Sequence, residues 1–236
     1  MSAMAERLLK RYYAGAIHPY RSFETLAESM LPPGGTLMDG GCGRTVPVLR
    51  KFQNRAGRLI GVELEDFSET YPGIETYKAD LANLPLEDAC VDLIISRAVF
   101  EHLVDPDAVY AECARVLKPG GRLVFLTASN WDYGTIVARI VPNRFHAKVV
   151  RYVEGRKEED TFPTQYKTNS GAAVRRLAKA AGLRVERIDY LNQYPNYFMF
   201  NGPLFFMGMC YERVTSRFEA LKALRGWILV TIVKPD

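Results

Sequence analysis

The sequence predicts an α/β fold, an open, seven-stranded, mostly parallel sheet with helices on both faces. Three observations predict it. Short apolar runs alternate with stretches of helical period along most of the chain. One such run, Leu37-Met38-Asp39, ends in glycines at 40, 41 and 43, the pattern of a strand entering a tight turn that passes close to a ligand. Another, Leu59-Ile60-Gly61-Val62, ends in Glu63, twenty-four residues after Asp39, where sheets of this kind grip a ribose.

Residues 4–13 and 23–31 read as two helices, the second capped by Ser22 with Phe23, Leu26, Ala27 and Met30 on one face. The polar-aromatic stretch Ala16–Arg21 joins them, and residues 1–35 together form an N-terminal helical lid. Strand 36–39 leads through the glycine turn into a helix over Val46 to Phe52, for which Thr45 is the cap. Strands follow at 58–62, 74–77 and 91–96. Asp105-Pro106 is a cap and first turn, opening a helix that buries Val109, Cys113, Val116 and Leu117. Lys118-Pro119-Gly120-Gly121 breaks that helix ahead of a strand over 122–127. A helix runs from Ser170 to Ala181 and stops at Gly182, followed by a strand at 183–190, a helix over 212–224 and a last strand at 227–233. Ligands of such a sheet sit at the carboxyl ends of the strands, where Asp39, Glu63 and Ser96 fall.

The bulk numbers suit one domain with a full core: 236 residues, 48% apolar and 25% charged. A net charge of +4, spread among acids, disfavours nucleic acid as partner. The N-terminus lacks a signal-peptide core, and no run approaches the about 18 apolar residues of a membrane span. Cys42, Cys90, Cys113 and Cys210 show no C-x-x-C spacing and read as reduced core thiols, which points to the cytoplasm; with three histidines, no metal site is expected.

The glycine turn is not the nicotinamide fingerprint, since Gly41-x-Gly43 continues as Arg44-Thr45-Val46 without the third glycine. Asp39 also aims a carboxylate at the turn, which would repel a pyrophosphate and attract a cation. A nucleoside with a sulfonium, an ammonium and no phosphate fits: S-adenosyl-L-methionine.

Taken in order, Asp39-Gly40-Gly41-Cys42-Gly43, Gly61-Val62-Glu63, Lys78-Ala79-Asp80-Leu81 with Leu84-Pro85-Leu86 and Asp92, Ser96–Leu103 and Arg115–Gly121 resemble the class I S-adenosylmethionine-dependent methyltransferases of type 11. The likeness covers 36–127 by motif and the remainder by element order. It implies a single-domain Rossmann-like fold over 36–236, with acceptor-site insertions near 130–168 and 194–210. It also implies roles: Gly41, Cys42 and Gly43 beside the methionine part with Asp39 near its ammonium, and Glu63 on both ribose hydroxyls. Asp80 and the Leu81 backbone would meet adenine, Leu64 would lie on its ring face, and Ser96 and Arg97 would meet the methionine portion. One departure stands out, Thr45 where many members have a last glycine.

His102, beside Glu101, and His146, in the long segment after the fifth strand, are the candidate general bases. A solvated or structural role is the alternative for each. Tyr12, Tyr13, His18, Tyr20 and Arg21 either help close the pocket or pack as ordinary helix residues. The aromatic, Met-rich segment 194–210 fits an apolar acceptor pocket, a lipid surface, a dimer interface or core; Asn201-Gly202-Pro203 breaks it too sharply for one amphipathic helix. The implied activity is methyl transfer to an O, N or C atom of a small, part-apolar acceptor by a monomer or homodimer. RNA or protein methylation, and a non-catalytic S-adenosylmethionine-binding partner, remain open alternatives.

Overall fold

The computed structural model of the chain describes residues 1–133 and 163–236. His146 and most of the 130–168 insertion lie outside the described residues. The chain packs as two compact units. A sheet unit holds residues 20–127, 164–189 and 229–236; a helical unit holds 1–19, 128–133 and 190–228, with Pro163.

The seven strands are β1 (Thr36–Gly40), β2 (Arg58–Glu63), β3 (Glu75–Lys78), β4 (Val91–Arg97), β5 (Leu117–Ala128), β6 (Arg184–Leu191) and β7 (Trp227–Val233), and they stand in the order β3-β2-β1-β4-β5-β7-β6. The pairs β1–β2, β1–β4, β2–β3 and β4–β5 are parallel. β7 runs antiparallel to β5: Gly120 N–H donates to Lys234 O, whereas Ser129 N–H donates to Gly226 O. The chain reverses its lateral direction between β1 and β4, so the crevice at their carboxyl ends is the switch point where such sheets bind ligands. β1, β2, β4 and β7 read almost continuously buried, as strands covered on both faces must.

Local chemistry explains most boundaries. In α3 (Pro106–Val116) Asp105 accepts from the Ala108 N–H, with Pro106 in the first turn. In α4 (Gly171–Ala180) Ser170 accepts from Ala173 N–H, and Gly182 at φ 73° ends the turn. Arg115 pins the loop ahead of β4 by donating to the carbonyls of Leu84 and Leu86. Asp92, at the amino end of β4, accepts from Thr36 N–H and Lys118 Nζ, and so ties three strand starts together.

Several expectations are corrected. No α-helix spans Val46 to Phe52. A four-residue 3₁₀ turn, Leu49–Phe52, stands there without a side-chain cap, because Val46 sits at φ 42° and Pro47 lacks an N–H; Thr45 caps nothing. α1 is Ala3–Tyr12, and α2 starts at Pro19 and ends at Met30, so Ser22 lies inside it rather than at its cap. Lys118–Gly121 does not interrupt the chain ahead of β5. It forms a bulge, with Leu117 facing Val91 and Arg122 facing Leu93. The last helix, α5, spans Gly202–Arg217, because Asn201 accepts from Leu204 N–H and Pro203 sits in the first turn; the supposed breaker is a helix start. A separate 3₁₀ stretch, Glu219–Leu224, follows it. Cys42 and Cys113 are buried, but Cys90 is half-buried and Cys210 exposed, so the four are not uniformly core thiols.

Candidate functional site

The carboxyl ends of β1, β2 and β4 bring together Asp39, the 41–43 turn, Glu63, Ser96 and Arg97. β1 and β2 are held in register with Asp39 opposite Gly61 and Gly40 opposite Val62. The turn folds back onto β2, with the N–H groups of Gly41 and Cys42 both donating to Val62 O at 2.8 and 3.2 Å. Ser96, buried at the end of β4, donates its hydroxyl to Gly40 O at 2.7 Å and locks the switch point.

The two glycines at positive φ do different work. At Gly41 (φ 73°) a Cβ would lie 2.3 Å from Val99 Cγ2, so packing within the protein forbids a side chain there. At Gly43 (φ 72°) the nearest atom to such a Cβ is Pro47 Cδ at 4.0 Å, so the space over this residue is open. The Cys42 thiol packs instead over Gly61, and burial pushes its pKa up.

Glu63 is held by two backbone donors. Gly43 N–H donates to Oε2 and Leu64 N–H to Oε1, both at 2.8 Å. Each carboxylate oxygen accepts at two lone-pair sites, so both retain one for a further donor. Asp39 is 2% exposed. Burial raises its carboxyl to about 7, with nearby Arg97 pulling down and Glu63 pushing up.

Arg97 donates to Glu24 Oε1 at 3.1 Å and lies 4.5 Å over the Tyr20 ring. Glu24, on α2 and 4% exposed, also takes Lys51 Nζ at 2.6 Å and lies 3.8 Å from Arg21. Sequence reasoning missed Glu24; its only signal was an acid beside Phe23 on the buried helix face.

Beyond β3, Asp80 is exposed, and its Oδ1 caps its own turn by accepting from Ala82 N–H at 2.9 Å. Leu81 is buried, its Cδ2 at 2.9 Å from where a Gly40 Cβ would stand, and Leu64 is 52% exposed. His102 ends a 3₁₀ turn, Phe100–His102, and is half-buried. Its neighbour Glu101 is buried and accepts from Thr127 Oγ1 at 2.7 Å, within a network reaching Asn169.

These residues fit S-adenosylmethionine in kind: a half-satisfied carboxylate for a diol, open space over a glycine turn, and a buried acid whose ionisation a cation would restore. In the helical unit a cavity of about 810 Å³ is walled by α1, α5 and residues 192–194; no residue expected to hold the cofactor lines it.

Residues 38–125 match the family model of the methyltransferase domain. A ubiquinone/menaquinone biosynthesis C-methyltransferase of Acidiphilium cryptum is 33% identical over 196 residues, which cover 81% of this chain and 78% of that protein. An uncharacterized 37.1 kDa protein of transposon TN4556 from Streptomyces fradiae is 34% identical over 135 residues, covering 50% of this chain and 39% of its own length. Among solved structures, geranyl diphosphate C-methyltransferase from Streptomyces coelicolor A3(2) is similar, with a TM-score of 0.57 at 15% identity over 99% of this chain and 85% of that one. That likeness is one of fold. The chain belongs to the class I S-adenosylmethionine-dependent methyltransferases. It spans 39% and 48% of the first curated relatives it matches, less than half of each. No helix among the described residues is long and apolar enough to cross a membrane.

Proposed function

We propose that the chain binds S-adenosyl-L-methionine at the carboxyl ends of β1, β2 and β4 and transfers its methyl group to an O, N or C atom of a small, part-apolar acceptor. The observation that carries this reading is the Glu63 carboxylate, fixed by Gly43 and Leu64 N–H groups with one acceptor position left on each oxygen. Glu63 takes the ribose hydroxyls, Asp39 faces the ammonium, and the open side of Gly43 admits the methionine part. Leu81 and Leu64 offer apolar surface to adenine, and Asp80 keeps one oxygen for the amino group. Ser96 acts through its hold on Gly40, and Arg97 sets the charge felt by Asp39.

When bound, the cofactor supplies a sulfonium-activated methyl group. The protein's share is then alignment, which accounts for on the order of 7–11 kcal/mol in well-oriented reactions. His102 is the described residue best suited to remove an acceptor proton; His146 holds the same proposed role from outside the described residues. The name of the Acidiphilium cryptum relative, a C-methyltransferase of quinone biosynthesis, supports a small-molecule acceptor over a macromolecular one.

Calorimetric titration with S-adenosylmethionine and S-adenosylhomocysteine tests the reading. Micromolar binding that Glu63→Ala weakens by roughly 30-fold is the expected result. Undiminished binding in that variant would overturn the ribose assignment. His102→Ala, assayed with an acceptor once one is found, separates a base from a bystander.

A further inference from the structure

The cavity in the helical unit is unused by the cofactor reading. Its volume, about 810 Å³, suits a small molecule. Leu9 of α1, Tyr13 just after that helix, Ile17 and Tyr194 give it an apolar wall. Glu212 is the only carboxylate among the lining residues, and it is buried. It accepts the Tyr13 hydroxyl at 2.6 Å, and burial raises its carboxyl to about 8, so near neutral pH this part of the wall is mostly uncharged.

The rim differs. Arg213 and Arg217 lie one turn apart on α5, both line the cavity, and both are exposed. Neither forms an ion pair or a side-chain hydrogen bond among the described residues. Their guanidinium groups rest instead on aromatic faces, Arg213 at 4.9 Å from the Tyr12 centroid and Arg217 at 5.9 Å from that of Phe218. Most other arginines of the described chain are committed to acids or carbonyls, as with Arg115 and the carbonyls of Leu84 and Leu86, or Arg225 and Glu219. Two stacked forks without acids, beside an apolar hollow, are suited to a carboxylate or phosphate.

We propose that this cavity binds an amphipathic anion, its apolar body against Leu9, Ile17 and Tyr194 and its carboxylate or phosphate head on Arg213 and Arg217. The body gains from leaving water, and the head is fixed by paired N–H donors that the described residues leave unused. A cationic head would meet two positive charges at the rim. Binding of this ligand takes place within the helical unit and does not depend on the cofactor reading.

The test uses the full chain and a fluorescent dansyl-undecanoate probe, displaced by C12 competitors held below their micellar concentrations. Dodecanoate and dodecyl phosphate are expected to displace it at least tenfold more tightly than dodecanol, and dodecylammonium not at all; the ratio between the two anions tells which head the rim prefers. Arg213→Gln with Arg217→Gln should equalise the anions and dodecanol while leaving the melting temperature unchanged. Glu63→Ala should leave probe binding intact. Equal displacement by dodecanol and dodecanoate in the wild-type chain, or an anion preference that survives the double variant, would overturn the proposal.

Discussion

The Gly43 N–H donates to Glu63 Oε2 at 2.8 Å, so the glycine turn after β1 is tied to the tip of β2 by the side chain proposed to hold the ribose. One carboxylate therefore shapes the turn and offers itself to the ligand. Glu63→Ala should weaken S-adenosylmethionine binding by about 2 kcal/mol, roughly 30-fold, as expected for loss of charge-assisted hydrogen bonds. Glu63→Gln, which keeps one acceptor oxygen, should fall between wild type and Ala. Calorimetry on the three chains measures this, and an unaltered Kd in both variants would refute it.

Asp39, proposed to face the ammonium, should link cofactor affinity to pH. Burial raises its carboxyl from the ordinary 3.8 to about 7, so at pH 6 the free protein holds it mostly protonated. A bound ammonium favours the ionised form, and binding should release a proton. Affinity should accordingly tighten as pH rises from about 6 to 8. Titrations in buffers of different ionisation enthalpy should show that proton loss, and Asp39→Asn should abolish both the proton release and this part of the pH dependence.

Much of this site was legible because its signals are local. Asp39, the glycines and Glu63 lie on two consecutive parallel strands and the turn after the first, and Asp105 and Ser170 announce their helices by position alone. The misreadings came where a local rule met a geometry it does not encode. Asn201-Gly202-Pro203 fits both a break and a helix start, and only the cap bond from Leu204 N–H decides. Pro47 turned a predicted helix into a 3₁₀ turn. Glu24 and Glu212 were invisible for a different reason. Their partners, Arg97 and Tyr13, lie 73 and 199 residues away in sequence, and no periodicity carries such pairings.

Two buried acids, Asp39 and Glu212, shape the pH dependence of the free chain's stability. Asp39 rises from 3.8 to about 7, and Glu212 from 4.5 to about 8, with burial the main cause in each. Between the unfolded and folded pKa the folded state binds more protons, so stability is greatest below about pH 4 in this contribution and declines as pH climbs through 7 and 8. Tyr13 donates to Glu212 and opposes the rise, while Asp132 adds to it. Asp39→Asn combined with Glu212→Gln should flatten the Tm between pH 5 and 9 relative to wild type. A wild-type Tm that rises over that interval, with the double variant following it, would contradict the assignment.

Glu24 holds Lys51 and Arg97 from a side chain that is 6% exposed, while its partners keep 50% and 22% of theirs. Removing one member of such a group leaves charge poorly compensated, although exposure of the partners softens the loss. Glu24→Ala should cost on the order of 2 kcal/mol of stability. It should also free Arg97, drawing Asp39 toward a lower pKa, so proton release on cofactor binding near pH 7 should shrink. Urea unfolding and two-buffer calorimetry report the two effects separately.

Tyr110 offers a prediction of opposite sign. It is fully buried on α3, edge-on to Phe100 and Phe125, which stack at 4.1 Å and 10°. Its hydroxyl has no hydrogen-bond partner among the described residues. A buried, unpaired hydroxyl carries a desolvation cost of about 1–3 kcal/mol with no bond to offset it. Tyr110→Phe removes that oxygen and keeps the ring contacts, so it should leave stability unchanged or raise it by about 1 kcal/mol. Tyr110→Leu, which loses the edge-to-face geometry, should destabilise instead. A loss of more than about 1 kcal/mol on Tyr110→Phe in urea unfolding would mean that the hydroxyl has a partner, such as a buried water, holding it in place.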